Sequence, residues 1–101
     1  MSSKLFDVNG FEVWSNDVVR LTNGMYVGIC GIHYQFESTD ENKLITVYTT
    51  PISSIHSQIY PRHIAEVVAR FDNDNDQMQW FFDNNIQNPL FITVDQIDEK
   101  V

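Results

Sequence analysis

The chain has 101 residues, 43% of them hydrophobic and 13% aromatic, with 14 acidic against 6 basic side chains and a formal charge of −8. That composition fits one folded domain over residues 1–101 and does not lead to an expectation of disorder. The shortage of Lys and Arg excludes direct nucleic-acid binding, the single cysteine, Cys30, excludes an internal disulfide, and no apolar run approaches the roughly 20 residues that span a bilayer.

The opening "MSSKLFDVNG" carries no apolar stretch of signal-peptide length, so a soluble, cytoplasmic protein is expected. "GFEVWSNDVV" reads as a short strand and turn. The clearest local signal follows in "DVVRLTNGMYVGICGIHYQF", where Asn23-Gly24 separates two β-rich arms. That dipeptide predicts a hairpin with a type I′ turn, which needs positive φ at both central residues. Gly28 and Gly31 interrupt the second arm, and a bulge or bend there would curl the sheet. Residues 37–43 read as a polar loop and 43–50, "KLITVYTT", as a strand with Leu44, Thr46 and Tyr48 opposite Ile45 and Val47. "ISSIHSQI" is a weaker strand candidate.

The period then changes. In "YPRHIAEVVARF" the residues Ile64, Val67, Val68 and Phe71 stand at i, i+3, i+4 and i+7, the spacing of a helix stripe. Pro61 suits a first helical position and Arg70 a helix end, so a helix is expected near 61–71. A second short helix is expected over 77–86, with Asp76 as N-cap, Gln79 closing a capping box, and Met78, Phe81, Phe82 and Ile86 facing inward. "LFITV" at 90–94 reads as a last strand and the final seven residues as frayed. The fold class expected is α+β: a curled antiparallel sheet with an SH3-like hairpin region, two short helices and a final strand.

Residues 10–32, "GFEVWSNDVVRLTNGMYVGICGI", resemble the opening of small SH3-like or KOW-type barrels, in which a "G-x-x-V-x-x-x-D-x-V-x-L" run leads into a hairpin and a "V-G-x-I" strand. Such modules bind RNA, polymerase or ribosomal protein. The resemblance implies a module of a transcription or nucleoprotein assembly, with a binding face around Arg20, Tyr26, Tyr34 and Tyr48. The stretch departs from those modules in holding one basic residue, Arg20.

The acids are unevenly spread. Residues 72–101 hold seven carboxylates against Lys100 alone, and residues 1–71 hold seven against five bases. A strongly acidic third attracts basic protein surfaces and steers their encounter. In "FDNDNDQMQWFFDNN" the acids Asp72, Asp74, Asp76 and Asp83 also occupy the first, third, fifth and twelfth places of an EF-hand-like loop. The sixth place is Gln77 where such a loop requires glycine, and the twelfth is Asp where a longer, bidentate Glu is expected. A helix-capping turn accounts for the same residues with local hydrogen bonds.

No zinc-type Cys/His spacing, nucleophile elbow or phosphate-cradling loop is present. Cys30 and His33 would point to opposite faces of a strand. The expectation is a non-catalytic protein without cofactor or metal. Trp80 lies off the helix stripe among the acids, and an aromatic inside an acidic rim has the composition of a binding hot spot. Asp72, Asp74, Asp76, Trp80 and Asp83 are therefore the expected partner-binding residues, and a larger protein with a basic surface is the expected partner. In composition the chain is similar to small acidic phage-encoded inhibitors and immunity proteins, which implies an inhibitor that mimics nucleic-acid charge.

Overall fold

The computed structural model describes residues 5–30, 45–50 and 56–99. Among the described residues five strands, β1 (Val18–Leu21), β2 (Tyr26–Ile29), β3 (Ile45–Tyr48), β4 (His56–Ile59) and β5 (Ile64–Ala69), form one antiparallel sheet in the order β4-β3-β2-β1-β5. Two short helices, α1 (Asp74–Asp83) and α2 (Val94–Asp98), complete an α+β domain whose open sheet has the curled form expected. The register between β1 and β5 shifts twice, and such irregularities bend a sheet.

The β1–β2 hairpin forms where Asn23-Gly24 predicts it, with Val19 opposite Val27 and Arg20 opposite Tyr26. The turn differs from the expected type. Gly24 alone has positive φ, at 92°. The Gly24 N–H donates to Leu21 O, Leu21 N–H donates to Met25 O, and the Asn23 side chain accepts from Met25 N–H. These bonds close a three-residue loop with its glycine in the left-handed region, so only one residue needs glycine's freedom.

The stretch expected as a helix near 61–71 is instead a 3-10 turn at Pro61–His63 followed by β5. Ile64, Val67 and Val68 are β-branched, and tertiary pairing overrides their helical spacing. Leu21 pairs with Ile64, Val19 with Val67, and Arg20 with Glu66, whose side chains also form an ion pair at 3.1 Å. The last strand expected at 90–94 is also not a strand. Residues 90–93 run past the edge strand β4 outside the ladder: the Ile92 N–H donates to the Ser57 hydroxyl, and Ile92 enters the core. Thr93 then caps α2 by accepting from Gln96 N–H, so the stretch expected to fray begins a helix. Tyr34, the 37–43 loop and the outer part of the second hairpin arm lie outside the described residues.

One face of the sheet carries the core. Val19, Leu21, Val27, Ile29, Ile45, Val47 and Ile59 are fully buried there, closed over by Leu5, Val13, Ile92 and Ile97. The pairing register places Val18, Arg20, Tyr26, Gly28, Thr46, Tyr48, His56 and Gln58 on the opposite face.

Three carboxylates fasten the periphery. Asp7 is buried and accepts from the Asn9, Phe11 and Val67 N–H groups, joining the N-terminal turn to β5. Burial pushes its carboxyl up, but bonds from Val67, Phe11, Asn9 and Gly10 outweigh that and hold it below the ordinary range. Asp17, also buried, takes a bidentate ion pair from Arg70 at 2.9 Å per bond and caps the Trp14 N–H, while the guanidinium lies 3.8 Å from the centre of the Trp14 ring. Asp98 on α2 takes a hydrogen bond from His63 and an ion pair from Arg62.

Candidate partner-binding surface

The helix that carries the acids is set by its two ends. Asn73, not Asp76, is the N-cap: its side chain accepts from the Asp76 N–H at 2.8 Å, so α1 starts three residues before the expected 77. At the other end Asn85 adopts φ of 51°. The Asn85 N–H then reaches Phe82 O and the Ile86 N–H reaches Phe81 O, a Schellman ending with asparagine in the left-handed place. Asp74 and Asp76 in the first turn complement the positive end of the helix dipole. Asp83 in the last turn opposes the negative end, and no basic residue in that turn offsets it.

The inward face is rotated relative to expectation. Gln77 and Phe81 are buried, Met78 and Trp80 are half-buried, and Phe82 is exposed. Gln77 is the pin. Its amide donates to Asp17 O at 3.1 Å and Ile29 O at 3.2 Å, directly over Gly28, where a Cβ would stand 2.6–2.8 Å from the Gln77 side chain. Gly28 therefore gives Gln77 close access to β2, the packing role that a strand glycine can serve in place of a bulge.

Trp80 packs its ring against Tyr26 at 5.7 Å between centroids and against Phe81 at 5.7 Å. It is not the exposed tryptophan; Trp14, with half its surface open, is. The rotation follows from Gln77, which ties its own side of the helix to the sheet and carries Trp80, one turn on, to the same side.

Asp72, Asp74, Asp76 and Asp83 are all exposed. Within that set Asp76 touches the Asn73 amide and Asp83 accepts from Gln79 at 2.8 Å. The helix begins at Asp74, and residues two apart on a helix point in different directions. The carboxylates thus do not converge as an EF-hand loop would require. Among the described residues no group of three or more His, Cys, Asp or Glu side chains is placed to hold a metal ion.

The second set of expected residues adjoins the first. Arg20, Tyr26 and Tyr48 share the sheet face against which α1 lies, and Trp80 on Tyr26 joins the two sets into one surface. Tyr34 lies outside the described residues. Tyr48 is held by a 3.4 Å contact with the Cys30 sulfur and a ring contact with His56 at 4.8 Å. The Cys30 contact, with burial and the nearby Cys30 and Asp74 charges adding to it, pushes the phenol up to about 12.

Two features escaped sequence reasoning. His63 is fully buried, and both of its ring nitrogens are engaged: Nδ1 accepts from the Tyr60 N–H and Nε2 donates to Asp98 at 2.8 Å. That hydrogen bond is the first cause of a lowered Asp98 carboxyl, with Arg62 contributing further. The arrangement fastens α2 to the turn after β4. The second feature concerns the cations. Each of the three described arginines, Arg20, Arg62 and Arg70, stands in an ion pair with a carboxylate. The excess negative charge is therefore displayed, whereas the described positive charge is spent internally.

Compared with known proteins, the chain matches no family model, no curated sequence and no solved structure at a significant level. No helix among the described residues is long and apolar enough to cross a membrane.

Proposed function

We propose that this protein is a small non-catalytic binding domain that docks on a basic surface of a larger protein through the exposed acids on and beside α1. The observation that carries the reading is the placement of Asp72, Asp74, Asp76 and Asp83. All four are exposed and none takes part in an ion pair with the described arginines. Asp83 adds weight because its position costs helix stability, and residues that break a local rule mark functional sites. The half-buried Trp80–Tyr26 pair supplies an aromatic floor beside the acids.

Exposed carboxylates can compete for sites built to hold phosphates, because both present oxygen acceptors and negative charge to Lys and Arg. The domain would then act as an inhibitor of a cytoplasmic, nucleic-acid-handling protein, of the phage anti-host, anti-defence or immunity type. Affinity capture from a cell lysate tests this. A basic partner retained at low salt, lost at high salt and lost with the triple variant D72N/D74N/D76N is expected. Equal retention by the variant would overturn the reading.

A second reading draws on Arg20, Tyr26 and Tyr48 sharing one face. An SH3-like module of a transcription or nucleoprotein assembly would bind there, and a Tyr26→Ser, Tyr48→Ser variant would lose a salt-resistant partner. Retention of that partner by the variant would count against it.

A further inference from the structure

The two edges of the sheet are finished differently. At the β5 edge the outward backbone groups are already used: the Ala65 carbonyl accepts from the Val8 N–H, and the Val67 N–H donates to the Asp7 carboxylate. Two register shifts against β1 make that edge irregular as well. The β4 edge carries none of these guards. Its residues, His56, Ser57, Gln58 and Ile59, include no proline, lysine or acid, and they pair with β3 in unbroken register.

The ladder fixes which groups of β4 look outward. The Cys30 N–H donates to Thr46 O, so Thr46 turns its backbone groups toward β2, and Ile45 and Val47 turn theirs toward β4. Their partners Ile59 and Ser57 are therefore the bonded residues of β4. His56 and Gln58 direct their N–H and C=O groups to the open side, where no backbone group of a described residue bonds them. That open stretch ends at Tyr60, whose N–H donates to His63 Nδ1 and whose C=O accepts from the His63 N–H.

Space lies beside these groups. An open cleft of about 470 Å³ is lined by His56, Gln58 and Tyr60, by Thr46 next to Gln58, and by residues 91–94 from the segment that passes the edge. The His56 and Gln58 side chains are exposed, and Phe91 is half open. No residue lining the cleft is an acid, a lysine or an arginine. Arg62, which stacks on the Tyr60 ring, is already paired with Asp98. The cleft thus offers two N–H and two C=O groups in an uncharged setting, which is the complement of an extended peptide backbone.

We propose that β4 is a strand-addition site, at which an extended, uncharged segment of a partner protein pairs with His56 and Gln58 in this cleft. The added backbone satisfies the four open groups, and its side chains alternate between the row of His56, Gln58 and Tyr60 and the segment at 91–94. A second copy is a poorer occupant for two reasons. Each copy carries a charge of −8, and each would bring its own 91–94 segment beside the β4 it offers. The contact is separate from the acids of α1 and does not depend on them.

The test uses isotopically labelled full-length protein, a short blocked peptide of alternating valine and threonine, and amide hydrogen exchange read by two-dimensional NMR. Exchange at His56 and Gln58 should slow when the peptide is added, while Ser57 and Ile59, already bonded to β3, should change little. The same peptide N-methylated at every amide keeps its side chains and loses its donors, and should bind about tenfold more weakly. Gln58→Pro removes an outward donor without touching a bond to β3, so it should keep the amide spectrum and weaken binding by a similar factor. The methylated peptide decides the matter even where the proline variant does not fold. Binding should also be insensitive to salt, which separates it from docking through the acids. Equal affinity for the two peptides, or unchanged exchange at His56 and Gln58, would overturn the inference. Slowed exchange at these two amides with rising protein concentration and no peptide would overturn it in favour of a second copy.

Discussion

Asp7 and Asp17 in the N-terminal part of the chain and Asp72, Asp74, Asp76 and Asp83 around α1 are the same residue type in opposite circumstances. The first two are buried, and each accepts at least three hydrogen bonds, from backbone N–H groups or from Arg70. The others stand in solvent with no cationic partner among the described residues. Removing a buried, fully bonded carboxylate strands its donors, whereas removing an exposed one changes little but the field. The formal charge of −8 therefore mixes structural acids with displayed ones, and only the second kind is available to a partner.

The largest expected effect tests the structural side. Asp17→Ala frees Arg70, uncaps the Trp14 N–H and releases the clamp between β5 and the turn before β1. Because Arg70 is partly exposed and can be rehydrated, a loss of about 3 kcal/mol is expected in urea unfolding. Asp7→Asn should cost about 2 kcal/mol, since one carboxamide oxygen replaces a carboxylate that serves several N–H groups. It should also change the acid response. The Asp7 carboxyl is held below its ordinary value of 3.8, so its contribution is complete above that value and is lost as the pH falls through the lower folded one. Stability of the variant should fall less steeply in that acid range, and an identical slope would contradict the assignment.

Gly28→Ala probes the joint between the two regions. The new Cβ would displace Gln77, at an expected cost of about 2 kcal/mol. In a Gln77→Ala background the same change should cost much less, and additive effects would show that Gly28 serves something other than the Gln77 contact. The smallest stability effect belongs to D72N/D74N/D76N. Loss of the dipole interaction at Asp74 and Asp76 is partly offset by relief of repulsion among the acids, so the change should stay below about 1 kcal/mol.

What was legible in the sequence divides along similar lines. The hairpin was readable because Asn23-Gly24 is a local instruction, although the turn type was not. The helix at α1 was readable in kind, but Asn73 and Asp76 both suit a cap, and the choice of Asn73 moved its start by three residues. "IAEVVARF" satisfies the helical stripe and the β-branched composition of a strand together. Pairing with β1, some 46 residues away in the Arg20–Glu66 bond, decides between them. The buried state of Asp7 and Asp17 was not readable, because their bonds to Val67 and Arg70 span 60 and 53 residues. Trp80 was misplaced for a smaller reason: Gln77 reads as a surface residue, and it is the residue that ties the helix to the sheet.

The central claim is that the displayed acids of α1 form a binding surface, and amide hydrogen exchange on the complex with a captured basic partner tests it most directly. Exchange is compared in the free protein and the complex. The account predicts slowed exchange over residues 72–85, reversed as salt is raised. Unchanged exchange across α1, with protection confined to other elements at all salt concentrations, would contradict it.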